Sequence, residues 1–319
     1  MLLRPASASA SASESSRDAG SGTGKSHVHP HPVVIDACAA PGNKSVQLAE
    51  LMDNAGTLFA FDRDPSRFAM LSEQLEKHYV ANSTAVCADF LCIPSTATAA
   101  GEAPRARDLN LSAEQLELCA LADYILVDPS CSGSGIVTRL DSIIDGAIGE
   151  SEAAHASRLR RLSGFQLRLV LHALSFEHVR RVVYSTCSAF REENECVVLD
   201  ALLRSESDTG SRFALVRPAD PSLAPFLSPL RAPTEAPQPS AKRKRPNGQE
   251  ESISSTAQES SSCEHALSPA TLATLCSDSD GRQRALDLVA SYCLHASPAM
   301  HLTNGFFVAC FERVTPLLS

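Results

Sequence analysis

The sequence predicts an α/β fold in which helices cover both faces of a mostly parallel sheet. Two observations predict it. Short apolar, β-branched runs alternate with longer segments whose apolar residues recur every three to four positions, which is the pattern of alternating strands and helices. Most of the apolar runs also end at a polar residue such as Asp36, Asp62 or Asp128. This alternation favours parallel strands joined by right-handed connections.

The apolar runs predict six strands. The first begins abruptly at Val33, and the last is the aromatic run that follows Asn304. The predicted strands cover residues 33–36, 57–62, 85–87, 124–127, 182–184 and 305–311. We expect the last strand to join the edge of the sheet.

Helical periodicity separates these strands. In the second predicted helix, Met70, Leu71 and Leu75 share one face, and residues 159–174 form the strongest amphipathic pattern. The predicted helices cover residues 46–52, 68–78, 159–174, 192–203 and 285–292, with a short helix within the weakly patterned segment 95–120.

Composition divides the chain into one folded domain and two segments without periodicity. Residues 1–32 are rich in Ser, Ala, Gly, His and Pro and predict a disordered leader. Residues 205–283 are rich in Ser, Pro, Glu and Ala and predict a low-complexity, disordered insertion. The folded domain is therefore expected at 33–204 plus 284–316.

Charge and cysteine usage exclude several classes of protein. The net charge of −9 argues against nucleic-acid binding by overall charge, so such a role needs local basic patches. The 11 cysteines contain no CxxC pair, so we expect no metal site and reduced thiols. No apolar run approaches the roughly 20 residues of a membrane span, and we expect no membrane partner.

The segment between the first strand and the first helix predicts a site for an adenosine-bearing ligand. Small residues around Gly42 allow a ligand to approach the backbone, and the helix N-terminus offers free N–H groups. Asp62 and Asp89 follow the next two strands, and Asp62 has the spacing of a ribose-binding carboxylate. A tight turn with acidic strand ends is the alternative for any one of these residues. The glycine-rich run 19–26 resembles a phosphate-binding loop but lacks the required strand and helix.

Two cysteines follow consecutive predicted strands. Cys131 lies in Asp-Pro-Ser-Cys-Ser-Gly-Ser-Gly after the fourth strand, and Cys187 lies in Tyr-Ser-Thr-Cys-Ser after the fifth. Adjacent strands lie about 4.8 Å apart, so both side chains would face one substrate if these strands are neighbours. A single cysteine at such a position is more often a core residue. Two in polar surroundings favour a thiol active site.

These motifs together resemble the Sun (Nol/Nop/Sun) family of S-adenosylmethionine-dependent RNA cytosine-5 methyltransferases. The resemblance covers roughly residues 33–204 and 284–314 and is carried by DACAAPGNKS, DPSCSGSG and YSTCS. Asp-Pro-Ser-Cys and Pro-Gly-Asn-Lys are most similar to the eukaryotic branch that methylates large-subunit rRNA. The resemblance implies a Rossmann-like class I methyltransferase fold.

The resemblance also implies a role for each matching residue. Cys187 would be the nucleophile and Cys131 would assist release of the methylated base. Asp128 would hydrogen-bond the cytosine, and Lys44 would position Asp128 or the ring. The cofactor S-adenosyl-L-methionine would be bound by Cys38, Ala39, Ala40, Pro41, Gly42, Asn43, Lys44, Asp62, Arg67, Asp89 and Asp128.

The implied partner is RNA, as rRNA or pre-ribosomal particles, and we expect a monomer. The basic run 242–245 reads as a nuclear import signal, so we expect a nuclear, nucleolar location. The arginines that would contact phosphates, or form a solvated helix face, are Arg158, Arg160, Arg161, Arg168, Arg180 and Arg181.

The sequence departs from the family pattern before the first motif. Family members carry an RNA-binding region there, which predicts a truncated chain. Three alternatives stay open: a tRNA cytosine-5 methyltransferase, a catalytically impaired ribosome-assembly homologue, and a nucleotide hydrolase built on residues 19–26.

Overall fold

The computed structural model describes residues 31–96, 109–136, 151–227, 266–277, 280–301 and 303–314. The strands are β1 Val33–Asp36, β2 Thr57–Asp62, β3 Ser83–Cys87, β4 Tyr124–Val127, β5 Arg181–Thr186, β6 Phe213–Val216, β7 Ala266–Leu267, β8 Leu294–Ala296 and β9 Phe306–Arg313. The α-helices are α1 Asn43–Leu51, α2 Pro65–Lys77, α3 Ala113–Ala120, α4 Glu152–Leu174, α5 Glu195–Thr209, α6 Pro269–Leu275, α7 Gly281–Tyr292 and α8 Pro298–His301. The 3₁₀ helices are Phe90–Cys92 and Pro221–Phe226.

These strands form one sheet in the order β3-β2-β1-β4-β5-β9-β6-β7, with β8 also pairing with β9. The first five strands in this order are parallel. The strand order reverses at β1, which lies between β2 and β4. Ligands of open α/β sheets bind beyond the carboxyl ends of the strands at such a reversal. The predicted Rossmann-like α/β fold is confirmed.

Both faces of the sheet are covered by helices, because the strand residues are apolar in both directions. In β1, Ile35 packs into a core shared with residues of α4, α5 and α7, whereas Val34 packs against Leu48 and Met52 beside α1. All four β1 residues are buried, as expected for a parallel strand between two helical layers. This packing aligns the carboxyl ends of β1, β4 and β5.

The predicted disordered insertion at 205–283 is wrong at both ends. Helix α5 continues to Thr209, β6 follows, and α6 and β7 precede α7, which begins at Gly281. Phe213, Leu215 and Leu272 are buried in the main core. Short apolar stretches in a Ser- and Pro-rich background gain their stability from this tertiary packing, which sequence periodicity does not report. Residues 228–265, including the basic run, lie outside the described residues.

The expected position of the last strand is also wrong. Strand β9 lies inside the sheet, antiparallel to β5 on one side and to β6 on the other. Strands β6 and β7, which separate β9 from the edge, lie within the segment predicted to be disordered. The predicted leader lies outside the described residues except for its last two positions, and so does the run 19–26. Within the described part of the chain, no helix is both long and apolar enough to cross a bilayer.

Candidate active site

The polar residues that follow β1, β4 and β5 meet at the carboxyl edge of the sheet. Strand β4 pairs with β1 on one side and with β5 on the other. Asp36 ends β1, Asp128 follows β4, and Ser185 lies near the end of β5. We call the site formed by Lys44, Asp128, Cys131, Ser185 and Cys187 the thiol cluster.

The two predicted cysteines are in direct contact. The Sγ atoms of Cys131 and Cys187 lie 3.0 Å apart, within a sulfur hydrogen bond. Both side chains are partly exposed, and both cysteines are free thiols. The adjacency of β4 and β5 therefore produces the two-thiol site that the sequence predicts.

The contact between the two thiols shifts their pKa values in opposite directions. The hydrogen bond from Cys131 lowers the pKa of Cys187 to about 7, helped by a backbone N–H and by the charge of Lys44, against the opposing effects of burial and Asp128. The same hydrogen bond, together with burial, raises the pKa of Cys131. Cys187 is thus the thiolate near neutral pH and Cys131 is the donor. A thiolate is the nucleophilic form of cysteine.

Asp128 is oriented from two sides. Its Oδ2 accepts a hydrogen bond from Lys44 Nζ at 2.7 Å, and its Oδ1 accepts one from Ser185 Oγ at 2.7 Å. Lys44 also lies over the ring of Phe306, with 5.3 Å from Nζ to the ring centroid. Each carboxylate oxygen has a second lone pair, so Asp128 can still accept a hydrogen bond from a ligand.

Backbone contacts hold the loop after β4 to the segments on either side. Gly135 N–H donates to the carbonyl of Cys187 at 2.9 Å, and Gly305 N–H donates to the carbonyl of Gly135 at 2.6 Å. A Cβ atom on Gly135 would lie 2.8 Å from Gly305 O and 2.9 Å from Cys187 O. Glycine is therefore needed at 135 for this close approach.

A cavity of about 440 Å³ opens beside the thiol cluster. Its lining includes Cys38, Asp62, Arg67 and Asp89, four of the predicted cofactor-binding residues. Ser130, the residue before Cys131, also lines it, so the cavity and the thiol cluster adjoin. A volume of this size falls within the range of pockets for small organic ligands, roughly 300–1,000 Å³.

Arg67 connects the loops around the cavity. Its guanidinium donates to Ala40 O at 2.7 Å and to Ser130 Oγ at 3.3 Å, and lies 3.4 Å from Asp62 Oδ2. Asp89 caps the 3₁₀ helix that follows β3 and lies 3.8 Å from Arg63. Both carboxylates at the strand ends are thus paired with arginines at the cavity wall.

The other predicted cofactor-binding residues lie beside the cavity rather than in its lining. Ala39 and Ala40 are buried against α2, and Gly42 is the N-cap of α1 with φ +112°, a conformation that favours glycine. Pro41 and Asn43 are exposed. Lys44 and Asp128 belong to the thiol cluster. For these residues the cofactor role stays a prediction.

Two further groups at this edge, the half-buried Cys38 and the fully buried Asp36, are poorly suited to be the nucleophile or to pair with a cation. Burial raises the pKa of Cys38, which keeps it a neutral thiol in the cavity wall. Burial also raises the pKa of Asp36 to about 7. Asp36 Oδ2 accepts a hydrogen bond from Ser45 at 2.7 Å, and its Oδ1 has no hydrogen-bond partner among the described residues.

Helix α4 contributes to the cavity wall, a role that its sequence pattern alone does not show. Arg158, Arg161 and Arg168, which we call the arginine stripe, lie on one face of α4 and line the cavity with Phe165. The guanidinium groups of Arg63 and Arg168 lie 4.9 Å and 5.5 Å from the Phe165 ring centroid. The helical spacing of these residues was a signal for a shared face. Of the other predicted arginines, Arg160 does not line the cavity, while Arg180 and Arg181 pair with Asp123 and Glu312.

Comparisons with known proteins find a matching family model and several similar relatives. The family model described as 16S rRNA methyltransferase RsmB/F matches residues 27–219. The chain is 33% identical over 282 residues to the 28S rRNA (cytosine-C(5))-methyltransferase of Mus musculus, covering 88% of this chain and 42% of the mouse protein. It is 31% identical over 283 residues to the 26S rRNA (cytosine-C(5))-methyltransferase nsun-5 of Caenorhabditis elegans, covering 88% and 45%. The chain spans less than half the length of these relatives.

Among solved structures, the chain matches NSun6 from Pyrococcus horikoshii. The match has a TM-score of 0.49 and 20% sequence identity, and covers 89% of this chain and 48% of that chain.

Proposed function

Because the chain belongs to the RsmB/F family of rRNA methyltransferases, we propose that it carries the catalytic site of an S-adenosylmethionine-dependent RNA (cytosine-5) methyltransferase acting on large-subunit rRNA. The observation that carries the proposal is the contact between Cys131 and Cys187, at 3.0 Å, beside the Lys44–Asp128 pair. Cytosine C5 is a poor nucleophile, and a thiolate next to a proton donor is what its activation needs.

The choice of large-subunit rRNA rests on the relatives. The matched proteins of mouse, worm and Schizosaccharomyces pombe are named as 28S, 26S and 25S rRNA cytosine-C5 methyltransferases. The last of these is 37% identical over 169 residues, covering 53% of this chain and 32% of that protein.

The cavity fits the proposed cofactor. Small side chains of Ala37 and Cys38 leave the backbone accessible, and Asp62 at the end of β2 faces the same space. Phe90 and Phe165 provide apolar surface for a flat ring system. S-adenosylmethionine, when bound, supplies the methyl group that C5 acquires.

Cys187 starts the reaction on the RNA. Its thiolate shares an electron pair with C6 of an unpaired or flipped-out cytosine, which moves the C5–C6 π electrons onto C5. Asp128, held by Lys44 and Ser185, accepts a hydrogen bond from the cytosine amino group and fixes the ring. After C5 is methylated, loss of the C5 proton to a base re-forms the double bond and expels Cys187.

Cys131 assists this last step. Its thiol lies 3.0 Å from the Cys187 sulfur and keeps its proton, because its pKa is raised. It can therefore donate a hydrogen bond to the sulfur of Cys187 as that atom regains its negative charge. A proton donor at this position favours elimination over retention of the adduct.

The arginine stripe supports contact with RNA. It adds three arginines to the lining of the cavity in a chain with a net charge of −9. Phosphate groups are the ligands that such a local basic patch attracts. We extend the proposal to a monomer located in the nucleolus, on the basis of scattered exposed apolar side chains within the described ranges and of the basic run 242–245.

The experiment is a methylation assay with labelled cofactor and large-subunit rRNA. We expect product from the unsubstituted chain, no product from Cys187→Ala, and a covalent RNA adduct that accumulates with Cys131→Ala. Normal turnover by Cys187→Ala would contradict the mechanism. Turnover on tRNA but not on rRNA would show that the substrate is tRNA. If the unsubstituted chain binds RNA without turnover, the chain is a catalytically impaired ribosome-assembly homologue.

A further inference from the structure

One carboxyl group that the proposed mechanism does not use lies under both thiol-bearing loops. Glu193 is completely buried, in the turn between Cys187 and α5. Its Oε2 accepts a hydrogen bond from Ser188 Oγ at 2.6 Å. Its Oε1 accepts bonds from Gln166 Nε2 at 2.9 Å and from the backbone N–H of Ser132 at 3.0 Å.

These three donors come from three separate elements. Ser132 directly follows Cys131, Ser188 directly follows Cys187, and Gln166 lies on α4. One carboxylate therefore anchors the chain next to each thiol and ties both to the same helix. Gln166 also donates to Ser130 O at 3.1 Å, on the other side of Cys131.

The anchor itself is held firmly. The Tyr184 hydroxyl donates to the backbone carbonyl of Glu193. Asn194, the next residue, accepts from Thr186 Oγ1 at 2.6 Å and donates to Ser188 O at 2.9 Å. Glu193 is thus fixed relative to β5 on both sides of Cys187.

Burial of a carboxyl group is unfavourable unless hydrogen bonds compensate it. Here a backbone N–H, an amide and a hydroxyl all donate to it, which an apolar side chain of the same shape could not accept. The hydroxyl groups of Ser132 and Ser188, 3.1 Å apart, complete the link between the two loops. These hydrogen bonds therefore fix the distance between the two loops, rather than filling space in the core.

A second buried carboxyl group provides the contrast. Glu195 lies two residues further along and is 5% exposed. Its Oε1 lies 3.9 Å from Arg191 and 3.7 Å from His295. These partners lie away from the loop that carries Cys131. Glu195 is therefore a matched control of similar burial and chemistry.

We propose that Glu193 is a positioning residue that holds Cys131 and Cys187 in hydrogen-bonding contact and so keeps Cys187 reactive. That this reactivity serves methylation rests on the proposed function. The contact itself can be measured on the thiols alone, without RNA or cofactor.

The experiment compares Glu193→Gln with Glu195→Gln in the full chain. Diamide oxidises two adjacent thiols to a disulfide and is itself reduced to the hydrazine, so the rate of Cys131–Cys187 disulfide formation reports their contact. Iodoacetamide alkylation of Cys187, followed by mass spectrometry across pH, reports its reactivity. Thermal unfolding identifies variants that have merely lost stability.

We expect Glu193→Gln to slow disulfide formation about tenfold, the scale of losing hydrogen bonds to a charged group, and to move the alkylation midpoint to higher pH. Glu195→Gln should change the rate of disulfide formation and the alkylation of Cys187 by no more than about twofold, because it removes no hydrogen bond to either loop. A second variant, Ser188→Ala, removes one donor with little loss of volume and should slow disulfide formation about threefold. It keeps the test decisive if Glu193→Gln fails to fold.

Unchanged oxidation and alkylation in folded Glu193→Gln, or in Ser188→Ala when Glu193→Gln does not fold, would overturn the positioning role. That result would leave the proposed function standing if Cys187→Ala is inactive in methylation. Conversely, a methylation-competent Cys187→Ala would remove the proposed function while leaving the thiol measurements valid.

Discussion

The thiol cluster and the cavity share Ser130 as a boundary but are built differently. In the thiol cluster, both carboxylate oxygens of Asp128 accept hydrogen bonds, and the two sulfur atoms are in contact. The cavity is wider, and its wall carries five arginines against two carboxylates: Arg63, Arg67, Arg158, Arg161 and Arg168 against Asp62 and Asp89. A tightly paired cluster suits bond making, whereas an open, basic cavity suits ligand binding.

The difference predicts a separation of kinetic effects. Substitutions in the thiol cluster should lower kcat and leave cofactor affinity unchanged, because their groups act on the reacting base. Substitutions in the cavity should weaken cofactor or RNA binding and leave kcat nearly unchanged. The proposals below test that separation.

The largest effect is expected for Lys44→Met. The substitution removes the charge that orients Asp128 and that helps to lower the pKa of Cys187. We expect kcat to fall about 100-fold, the scale of losing one preorganised charge in an active site. Single-turnover methylation and cofactor titration measure the two parameters.

Lys77→Met, at the exposed end of α2, is the control and should behave like the unsubstituted chain. A weakened cofactor affinity with unchanged kcat in Lys44→Met would place Lys44 with the cavity instead.

A glycine pair tests how closely the loops of the thiol cluster must approach. In Gly135→Ala, the new Cβ would meet two carbonyl oxygens at less than 3 Å. We expect the free energy of unfolding to fall by about 2 kcal/mol, as for other overpacked sites, with a loss of kcat. In the control Gly164→Ala on α4, nothing lies within 4 Å, and the helix should gain up to about 1 kcal/mol. Denaturant unfolding measures both, and equal stability of the two variants would contradict the close contact.

The pH dependence should follow Cys187. Its pKa is lowered to about 7 by the hydrogen bond from Cys131, so the reactive thiolate predominates above that pH. Below it, the thiolate fraction falls about tenfold per pH unit, because one proton binds. The single-turnover rate should therefore rise with pH to a plateau, and the Cys131→Ala variant should move the midpoint of Cys187 alkylation upwards. A rate that falls as pH rises through 7 would exclude a thiolate nucleophile.

In the cavity, Asp62→Asn should act on binding. The substitution removes the charge of a carboxylate that is 7% exposed in the cavity wall. We expect the Kd for S-adenosylmethionine to rise about tenfold, the scale of a hydrogen bond to a charged group, and kcat at saturation to change little. Isothermal titration measures the Kd, and an unchanged value would remove Asp62 from the cofactor site.

The smallest effect is expected for the arginine stripe. Arg161→Glu reverses one charge in the cavity lining, while Arg160→Glu makes the same change outside that lining. We expect Arg161→Glu to weaken RNA binding several-fold and to reduce the salt slope by about 0.7, the value for one phosphate contact to a single strand. If both variants weaken RNA binding equally, the arginine stripe is only a solvated helix face and not an RNA contact.

The parallel half of the fold could be predicted because each element carries its own signal. Strands β1, β2 and β4 are buried on both faces and read as continuous apolar runs, so their predicted and observed bounds coincide. The proximity of Cys131 and Cys187 followed from the adjacency of β4 and β5. Strand β6 is also a four-residue apolar run, but it lies within the segment 205–283, whose composition predicted disorder. Strand β8 has only three residues and is stabilised by its pairing with β9, so its local pattern is too short to identify it.

The supporting residues of the site were harder to predict for the same reason. Glu193 reads in sequence as one of several acidic residues before a helix, and only the fold brings Ser132 and Gln166 to it. Phe165 reads as a core residue of an amphipathic helix, but the structure places it in the cavity wall. Local patterns identify residues that act through their type and spacing, whereas these two act through distant partners.

The position of β9 has a consequence for how the protein folds as it is synthesised. The pairing of β9 with β5 joins Arg181 to Glu312 and Thr186 to Phe307. Strand β5 therefore pairs with residues that are synthesised much later than its own. Such long-range pairing is slow, because a long chain segment must be closed into a loop before the strand can dock. Gly305, at the start of that strand, completes the backbone support of the loop after β4. Both cysteines are therefore synthesised well before the strand that completes the backbone support of the loop after β4.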